Sequence, residues 1–368
     1  MKVGILGGGQ LGRMLALAGY PLGLEFLCLD PSADAPAGQV APLLYGAFTD
    51  RRLLARLARE CDVITFDWEN VPVSGLAAIA ARHGARICPP LAALASGQDR
   101  VAEKRLFERL RIPTTRWQAV SSRRELARAL ATVGLPGVLK TRRMGYDGKG
   151  QAVIRTGADA EQAWAQLGHV PLLYEQYIPF ECEVSIIGAR SGRGETVVYP
   201  LCGNVHGAGM LRLTRAPFGA PGWQRRARTY LERVLTHFRY RGILTIEFFV
   251  RGGRLIANEM APRVHNSGHW TIEGATTSQF ENHLRAILGL PLGSTRARGF
   301  SAMVNLIGQM PRARQLLALE GVHLHDYGKR ARPGRKMGHC TVIEPTAAAR
   351  DARARSLLKD LRVELRIP

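Results

Sequence analysis

Long apolar runs and paired cysteines are both missing from this chain of 368 residues. No stretch approaches the roughly 18 to 20 consecutive apolar residues that a membrane-spanning helix needs. The six cysteines are widely spaced and form no C-x-x-C pair, which argues against a disulfide framework and against a cysteine zinc site. The first residues lead straight into a strand pattern, without a signal-peptide cleavage site. These absences predict a cytoplasmic protein that does not enter a membrane.

Lysine is scarce as well, although the chain is strongly basic. There are seven lysines, so arginine supplies 44 of the 51 basic residues, and the formal net charge is +21. The arginines are spread along the chain, and no nucleic-acid recognition motif accompanies them. We therefore predict that the protein does not bind nucleic acid. Its charge is expected to raise the local concentration of anionic substrates instead.

The order of strand and helix patterns predicts a multidomain protein that combines α/β and α+β architecture. Residues 1–95 alternate short apolar strands with helices, which is typical of a Rossmann-like parallel sheet. Residues 96–295 mix helices with longer alternating strands, and residues 296–368 look like a small strand-rich C-terminal domain. More than one domain is also expected from length, because a single core rarely organises so many residues.

A glycine-rich turn follows the first predicted strand. Residues 7–12 fit G-x-G-x-x-G, and Asp30 ends the next strand, as in a dinucleotide-binding fold. The glycines and the helix N-terminus would accept any phosphate, however. The motif therefore leaves three interpretations open: a nicotinamide dinucleotide, a monophosphate ligand, and plain packing of the strand against the helix.

A second glycine-rich segment, residues 145–151, lies between predicted strands at 137–141 and 152–155. Such a loop can fold over a polyphosphate, and Lys140 and Lys149 would supply positive charge to its oxygens. The spacing is not that of a P-loop. A generic hairpin loop is the alternative.

Glu247 and Glu259 lie on two predicted strands, 243–250 and 255–260. A three-residue loop between the strands would place the two carboxylates opposite each other. A two-residue turn at Gly252-Gly253 would instead put them on opposite faces. Facing carboxylates would hold Mg²⁺ together with substrate phosphate oxygens. The alternative is a pair of solvent-facing glutamates.

Two further features are weaker evidence for ligand binding. Residues 175–178 end a predicted strand at 172–176 and could read an adenine edge, with Glu183 holding the ribose. An exposed hairpin end would have the same pattern. His206 follows Gly203-Asn204-Val205, and a solvated loop histidine is the alternative to a ligand-binding one.

In combination these residues resemble the ATP-grasp superfamily. A strand lysine, a glycine-rich flap, an E-Q-x-I segment with a following Glu, and two metal glutamates occur in the order of that family. Residues 258–271 and 332–339 narrow the resemblance to the ATPase subunit of phosphoribosylaminoimidazole carboxylase, and it extends from Gly7 to about His339.

The resemblance implies a central ATP-grasp domain at 96–295 with a mobile lid at about 113–173. It implies ATP-dependent carboxylation of 5-aminoimidazole ribonucleotide with bicarbonate, through carboxyphosphate, in purine synthesis. The cofactors would be ATP with Mg²⁺ or Mn²⁺ and no NAD, and the protein would be a homodimer.

The resemblance also assigns residues to four roles. ATP would be bound by Arg100, Lys140, Gly145, Tyr146, Asp147, Gly148, Lys149, Gly150, Gln151, Glu175, Gln176, Tyr177, Ile178, Glu183, His206 and Asn258. The metal would be held by Glu247 and Glu259. The residues expected at the reacting groups are Arg263, His265, Asn266 and Lys336. The ribonucleotide would be bound by Gly9, Gln10, Leu11, Glu69 and Arg335.

Two positions depart from the family pattern. Ala261 stands where many ATP-grasp enzymes have a metal-binding Asn, and Asp67 stands where the narrower family commonly has Glu. Three other enzymes remain as alternatives: a biotin carboxylase-like ligase, a glycinamide ribonucleotide transformylase-like ligase and a Rossmann dehydrogenase. The run at 332–339 argues against the first two.

Overall fold

The computed structural model of the chain describes residues 1–145, 148–361, 363 and 365. Tyr146 and Asp147, both predicted to bind ATP, lie outside the described residues. Within the described part, no helix is long and apolar enough to cross a membrane.

The N-terminal segment is a parallel sheet with helices packed against it, as predicted. Its strands are ordered β3-β2-β1-β4, and apolar side chains of β1, β2 and β4 are buried on both faces. The elements are β1 (Lys2–Leu6), α1 (Gln10–Gly19), β2 (Glu25–Asp30), β3 (Leu43–Tyr45), α2 (Arg51–Glu60), β4 (Val63–Phe66) and α3 (Val73–His83). Two helices, α4 (Leu91–Gly97) and α5 (Arg100–Arg109), lead into the next segment.

A small antiparallel sheet follows, which we call the lid sheet. Its strand order is β5-β8-β6-β7, and its two helices share one apolar core with the strands. The elements are β5 (Trp117–Val120), α6 (Arg123–Val133), β6 (Gly137–Thr141), β7 (Gln151–Ile154), α7 (Gly157–Leu167) and β8 (Leu172–Gln176).

The remaining strands form one large antiparallel sheet, which we call the central sheet. Its order is β14-β13-β9-β11-β12-β15-β17-β16, with β10 paired to β9. Its strands are β9 (Cys182–Arg190), β10 (Thr196–Val198), β11 (Cys202–Gly207), β12 (Met210–Ala216), β13 (Gly242–Arg251), β14 (Arg254–Ala261), β15 (Phe300–Ile307), β16 (His323–Asp326) and β17 (Lys336–Glu344). The helices are α8 (Pro221–His237), α9 (Thr271–Gly274), α10 (Gln279–Leu288), α11 (Ala313–Leu317) and α12 (Ala347–Asp360). The predicted C-terminal strands are therefore present, and they extend the central sheet because β15 pairs directly with β12.

The hairpin of β13 and β14 combines a two-residue turn with a bulge. Arg251 pairs with Arg254, so the loop consists of Gly252 and Gly253, both with positive φ. The structure therefore has the two-residue alternative, but the register shifts by one residue between Glu247 and Phe248. The bulge restores the facing arrangement, so that Glu247 lies directly opposite Glu259 after all.

The turn glycines offer a clean test of the hairpin. Gly252→Ala and Gly253→Ala should each lower the free energy of unfolding by about 1 kcal/mol, because a side chain at positive φ is strained. Neither new methyl group would meet a neighbour within 4 Å. Gly157→Ala at the start of α7 is the matched control, since it also meets open space but lacks positive φ. Equal stability of all three variants in urea unfolding would contradict this account of the turn.

Candidate active site

One cleft is lined by residues from the N-terminal sheet, the lid sheet and the central sheet. Its volume is about 1050 Å³, and residues 332–336 of the C-terminal segment also line it. Apart from Gly150, every described residue to which the sequence assigned a role in binding or reaction lines this cleft.

Lys140 enters the cleft from β6 as part of a buried charge cluster. Its ammonium group forms an ion pair with Glu175 Oε1, and Lys104 Nζ lies 2.9 Å from Glu175 Oε2. Thr115 Oγ1 donates a hydrogen bond to the same oxygen at 2.6 Å. Burial raises the pKa of Glu175, but the two ammonium groups and the hydrogen bonds outweigh burial and hold it well below its usual range. The carboxylate is therefore ionised and fixes both lysines.

This cluster changes the role that the Glu175 side chain can play. Its oxygens are engaged by lysines, whereas the neighbouring Gln176, Tyr177 and Ile178 also line the cleft. Lys104 was missed in the sequence. It lies one helical turn after Arg100 on α5, so the two cations share a helix face, and the scarcity of lysine could have drawn attention to it.

Glu247 belongs to a chain of hydrogen bonds that extends into the central sheet. Its Oε1 lies 3.1 Å from His265 Nε2, and His265 Nδ1 lies 2.8 Å from Ser267 Oγ. Ser267 Oγ is 2.8 Å from Ser185 Oγ, which also accepts from Asn204 at 3.0 Å. Burial raises the pKa of Glu247, but the hydrogen bond and charge of His265 with the other nearby cations lower it to about 2. The chain orients the imidazole and keeps the glutamate ionised.

Glu259 lies on β14, the second strand of the hairpin, and its side chain contacts α5. Arg100 Nη1 lies 3.0 Å from Glu259 Oε2, and the buried Glu103 accepts a hydrogen bond from the Met260 amide at 2.6 Å. Burial raises the pKa of Glu103 to about 8, and the charge of Glu259 adds to that shift. Asn258 Oδ1 is buried here without a hydrogen-bond partner among the described residues.

Glu183 and His206 form a pair on adjacent strands. Glu183 Oε2 lies 2.8 Å from His206 Nδ1. Burial lowers the pKa of His206, but the hydrogen bond and charge of Glu183, with the charges of Glu247 and Glu259, raise it to about 9. His206 is thus a cation surrounded by carboxylates, and it is not the solvated loop histidine that its sequence also allowed.

The N-terminal segment contributes a second set of contacts. Arg263 Nη2 lies 2.9 Å from Glu69 Oε2, so two predicted residues from different segments meet here. Gln10 Oε1 accepts a hydrogen bond from Lys329, which lines the cleft and was also missed in the sequence. Asn266 lies three residues after Arg263, and both polar atoms of its side-chain amide are buried without a partner among the described residues.

The segment before β17 presents cations to the cleft. Gly334 has a φ of +72°, so the chain turns at Pro333-Gly334. Arg335 donates to the Arg330 carbonyl at 3.2 Å, and Lys336 is near enough to Glu247 to contribute to its lowered pKa. The cationic run, which consists of Arg332, Arg335 and Lys336, therefore lines the same cleft as the glutamate pair.

The glycine turn at 7–12 is bordered by carboxylates of the chain itself. Gly8 N donates to Asp30 Oδ2 at 2.6 Å, and Gly12 N donates to Asp67 Oδ2 at 2.9 Å. Asp30 also accepts from the Ser32 amide at 2.8 Å. The Gly8 and Gly12 amides, which could meet a phosphate in a dinucleotide fold, are thus already hydrogen-bonded within the protein.

The glutamate pair fits a hard divalent cation. Glu247, Glu259 and the unpartnered Asn258 Oδ1 are oxygen donors, which Mg²⁺ prefers. Within the described residues, no cluster of three or more histidine, cysteine, aspartate or glutamate side chains could hold a metal alone. A cation here would need further ligands from a bound phosphate, which is how Mg²⁺ usually accompanies a nucleotide.

Glu175→Gln should be strongly destabilising, because it leaves Lys104 and Lys140 buried without their counter-ion. We expect a loss of about 3 kcal/mol in the free energy of unfolding, measured by chemical denaturation. Glu232→Gln is the control, since Glu232 forms an exposed pair with Arg228 and should change stability by less than about 1 kcal/mol. Similar stability of the two variants would contradict a structural role for the buried cluster.

Three family models match successive parts of the chain. The ribonucleotide synthetase preATP-grasp domain matches residues 1–98, the ATP-grasp domain matches 105–280, and the phosphoribosylaminoimidazole carboxylase C-terminal domain matches 301–353.

Relatives and solved structures match nearly the whole chain. The N5-carboxyaminoimidazole ribonucleotide synthase of Pseudomonas aeruginosa is 48% identical over 98% of this chain and 100% of its own length. The crystal structure of the synthetase from Thermus thermophilus is 49% identical, with a TM-score of 0.93 over 100% of this chain and 99% of the other. The Aspergillus clavatus enzyme, in complex with ADP and 5-aminoimidazole ribonucleotide, is 31% identical, with a TM-score of 0.91 and 98% coverage of both chains. The chain belongs to the N5-carboxyaminoimidazole ribonucleotide synthase family of ATP-grasp ligases.

Proposed function

We propose that the protein uses ATP and bicarbonate to carboxylate the exocyclic amine of 5-aminoimidazole ribonucleotide, forming ADP and phosphate. The observation that carries the proposal is the convergence of two groups in one cleft. The buried lysines and the glutamate pair are suited to ATP, and the cationic run ending at Lys336 lies beside them. The run at 332–339 argues against the biotin carboxylase-like and transformylase-like alternatives.

For ATP, we propose that Lys140 and Arg100 contact the phosphates and that the 145–151 loop closes over them. The neighbouring Glu175 keeps Lys140 fixed, so no reorganisation of that cation is needed when the phosphate arrives. Glu247 and Glu259, with Asn258, would hold Mg²⁺, which offsets negative charge on the transferring phosphoryl group.

For the carboxyl transfer, ATP phosphorylates bicarbonate to give carboxyphosphate, and the ribonucleotide amine then attacks its carbonyl carbon or CO₂ released from it. Arg263, His265, Asn266 and Lys336 all line the cleft, and we propose that these groups meet beside them. Carboxyphosphate hydrolyses readily in water, so closure of the lid sheet over the cleft would protect it. Gln10, Leu11 and Glu69 would hold the ribonucleotide from the N-terminal side.

We further propose a cytoplasmic homodimer that binds neither NAD nor nucleic acid. All six cysteines are free thiols, which suits a reducing compartment. The Gly8 and Gly12 amides of the 7–12 turn are engaged by Asp30 and Asp67, which disfavours a dinucleotide. The homodimer rests on the resemblance, and the domain boundaries near residues 95 and 295 rest on the order of strand and helix patterns in the sequence.

The proposal is tested by ADP release from purified protein with Mg²⁺ and ATP. Release should be fastest when bicarbonate and 5-aminoimidazole ribonucleotide are both present. Stimulation by glycinamide ribonucleotide or biotin instead of the aminoimidazole compound would overturn the assignment. Tight NADH binding by titration calorimetry would overturn the account of the N-terminal turn.

The glutamate pair should be needed for chemistry. Glu247→Gln and Glu259→Gln keep the side-chain volume but remove charge that balances Mg²⁺. We expect kcat to fall at least a hundredfold, or about 2.7 kcal/mol of barrier, and the stabilisation of the protein by ADP with Mg²⁺ to weaken in a thermal shift. Near-normal turnover in both variants would exclude them as metal ligands. Glu232→Gln again serves as the control, because Glu232 forms an exposed ion pair on α8 and does not line the cleft.

Lys336 should act on the ribonucleotide rather than on ATP. Lys336→Ala is expected to keep its affinity for ATP with Mg²⁺, while kcat/KM for the ribonucleotide falls by about tenfold to a thousandfold. Lys336→Arg should recover only part, because a planar guanidinium does not replace a compact ammonium group. An unchanged kcat/KM in the alanine variant would remove Lys336 from the site.

A further inference from the structure

The carboxylate of Asp67 lies inside the glycine turn that opens the N-terminal helix. Asp67 directly follows β4, and only 7% of its surface is exposed. Its Oδ2 accepts the Gly12 amide at 2.9 Å, and the Gly9 amide also contributes hydrogen bonding to this carboxylate. Gly9 precedes α1 and has no side chain that could cap the helix, so the cap comes from Asp67, just after β4.

The glycines of the turn leave room for this carboxylate. A Cβ atom on Gly7 would lie 1.5 Å from Asp67 Oδ1, and a Cβ atom on Gly9 would lie 2.9 Å from Oδ2. A Cβ atom on Gly12 would lie 3.1 Å from the same oxygen. In a dinucleotide fold such glycines allow the main chain to approach a pyrophosphate. Here the glycines make contact with an anion that belongs to the protein.

The turn determines where Gln10 is placed. Gln10 is the first residue of α1, and its side chain reaches Lys329 of the C-terminal segment across the cleft. Burial raises the pKa of Asp67 to about 6, with the charge of Asp30 adding to the shift and the amide hydrogen bonds opposing it. The amide hydrogen bonds favour the ionised form of this carboxylate, which attracts the positive end of the helix dipole.

We propose that Asp67 is a built-in anion of the 7–12 turn, which holds the turn in place and positions Gln10 toward the ribonucleotide. It is a positioning residue, since it reaches the substrate through the turn. The inference deepens the proposed function and rests on it for the identity of the substrate.

The matched control is Asp50, which caps α2 in the same segment. Its side chain accepts from the Arg52 and Leu53 amides, as Asp67 accepts from the turn, but it does not line the cleft. Asp67→Ala and Asp50→Ala each remove a carboxylate from a helix N-terminus. A purely structural role would give both variants the same kinetics.

Asp67→Ala should lower kcat/KM for the ribonucleotide tenfold to a hundredfold, with the KM for ATP unchanged, whereas Asp50→Ala keeps wild-type values of both. Added sodium formate should restore at least part of the lost kcat/KM and raise the melting temperature of Asp67→Ala. Formate should do neither in the wild-type protein or in Asp50→Ala. Kinetics of Asp67→Ala equal to those of Asp50→Ala, or no response to formate, would overturn the proposal.

Two further measurements keep the test decisive. If Asp67→Ala does not fold, Asp67→Asn can replace it, because it keeps the side-chain volume and one acceptor oxygen. Asp67→Asn should still lose at least threefold in kcat/KM for the ribonucleotide. Wild-type kinetics of Asp67→Asn would overturn the proposal. A wild-type protein that is not stimulated by the ribonucleotide would refute the proposed function. The formate-dependent melting temperature would still test the built-in anion by itself.

Discussion

The arrangement of the candidate active site depends on the register between β13 and β14. Side chains alternate faces along a strand, so a shift of one residue would move Glu259 to the opposite face of the sheet. The bulge at Asn258 sets this register within a hairpin whose turn would otherwise separate the two glutamates. It also leaves the Asn258 side chain beside them with an unpartnered oxygen. One inserted residue thus gives the cleft both its pair of carboxylates and a third oxygen donor.

Charges in the cleft are balanced in pairs, and this pairing prepares it for a polyanionic substrate. Arg100 faces Glu259, His206 faces Glu183, and Arg263 faces Glu69. Because the carboxylates hold these cations in place, the cations need little reorganisation when a phosphate arrives. The Glu175 cluster extends this pairing into the protein interior, where an ionised carboxylate requires more than one cation.

Local patterns in the sequence predicted the elements well, because apolar periodicity and turn residues determine them directly. The strands at 137–141 and 172–176 have the predicted bounds. Features that depend on contacts between distant residues were harder to predict. Turn length alone could not reveal the bulge at Asn258, and nothing local to α5 indicates that Lys104 meets Glu175 from another strand. The assignment of the cleft residues came from resemblance to a family, and their proximity to one another required the folded chain.

The pairing of β12 with β15 has a consequence for how the protein can be divided. These strands are hydrogen-bonded from Leu213 to Ala216, so removal of everything beyond residue 295 would leave β12 as an unprotected sheet edge. Such an edge can pair with any other extended chain and promotes aggregation. The segment that carries Lys336 is therefore not an independent module that could be exchanged between ATP-grasp enzymes. Recombination among these ligases would have to preserve the β12–β15 pairing, so the C-terminal strands and the rest of the central sheet would have to be exchanged together.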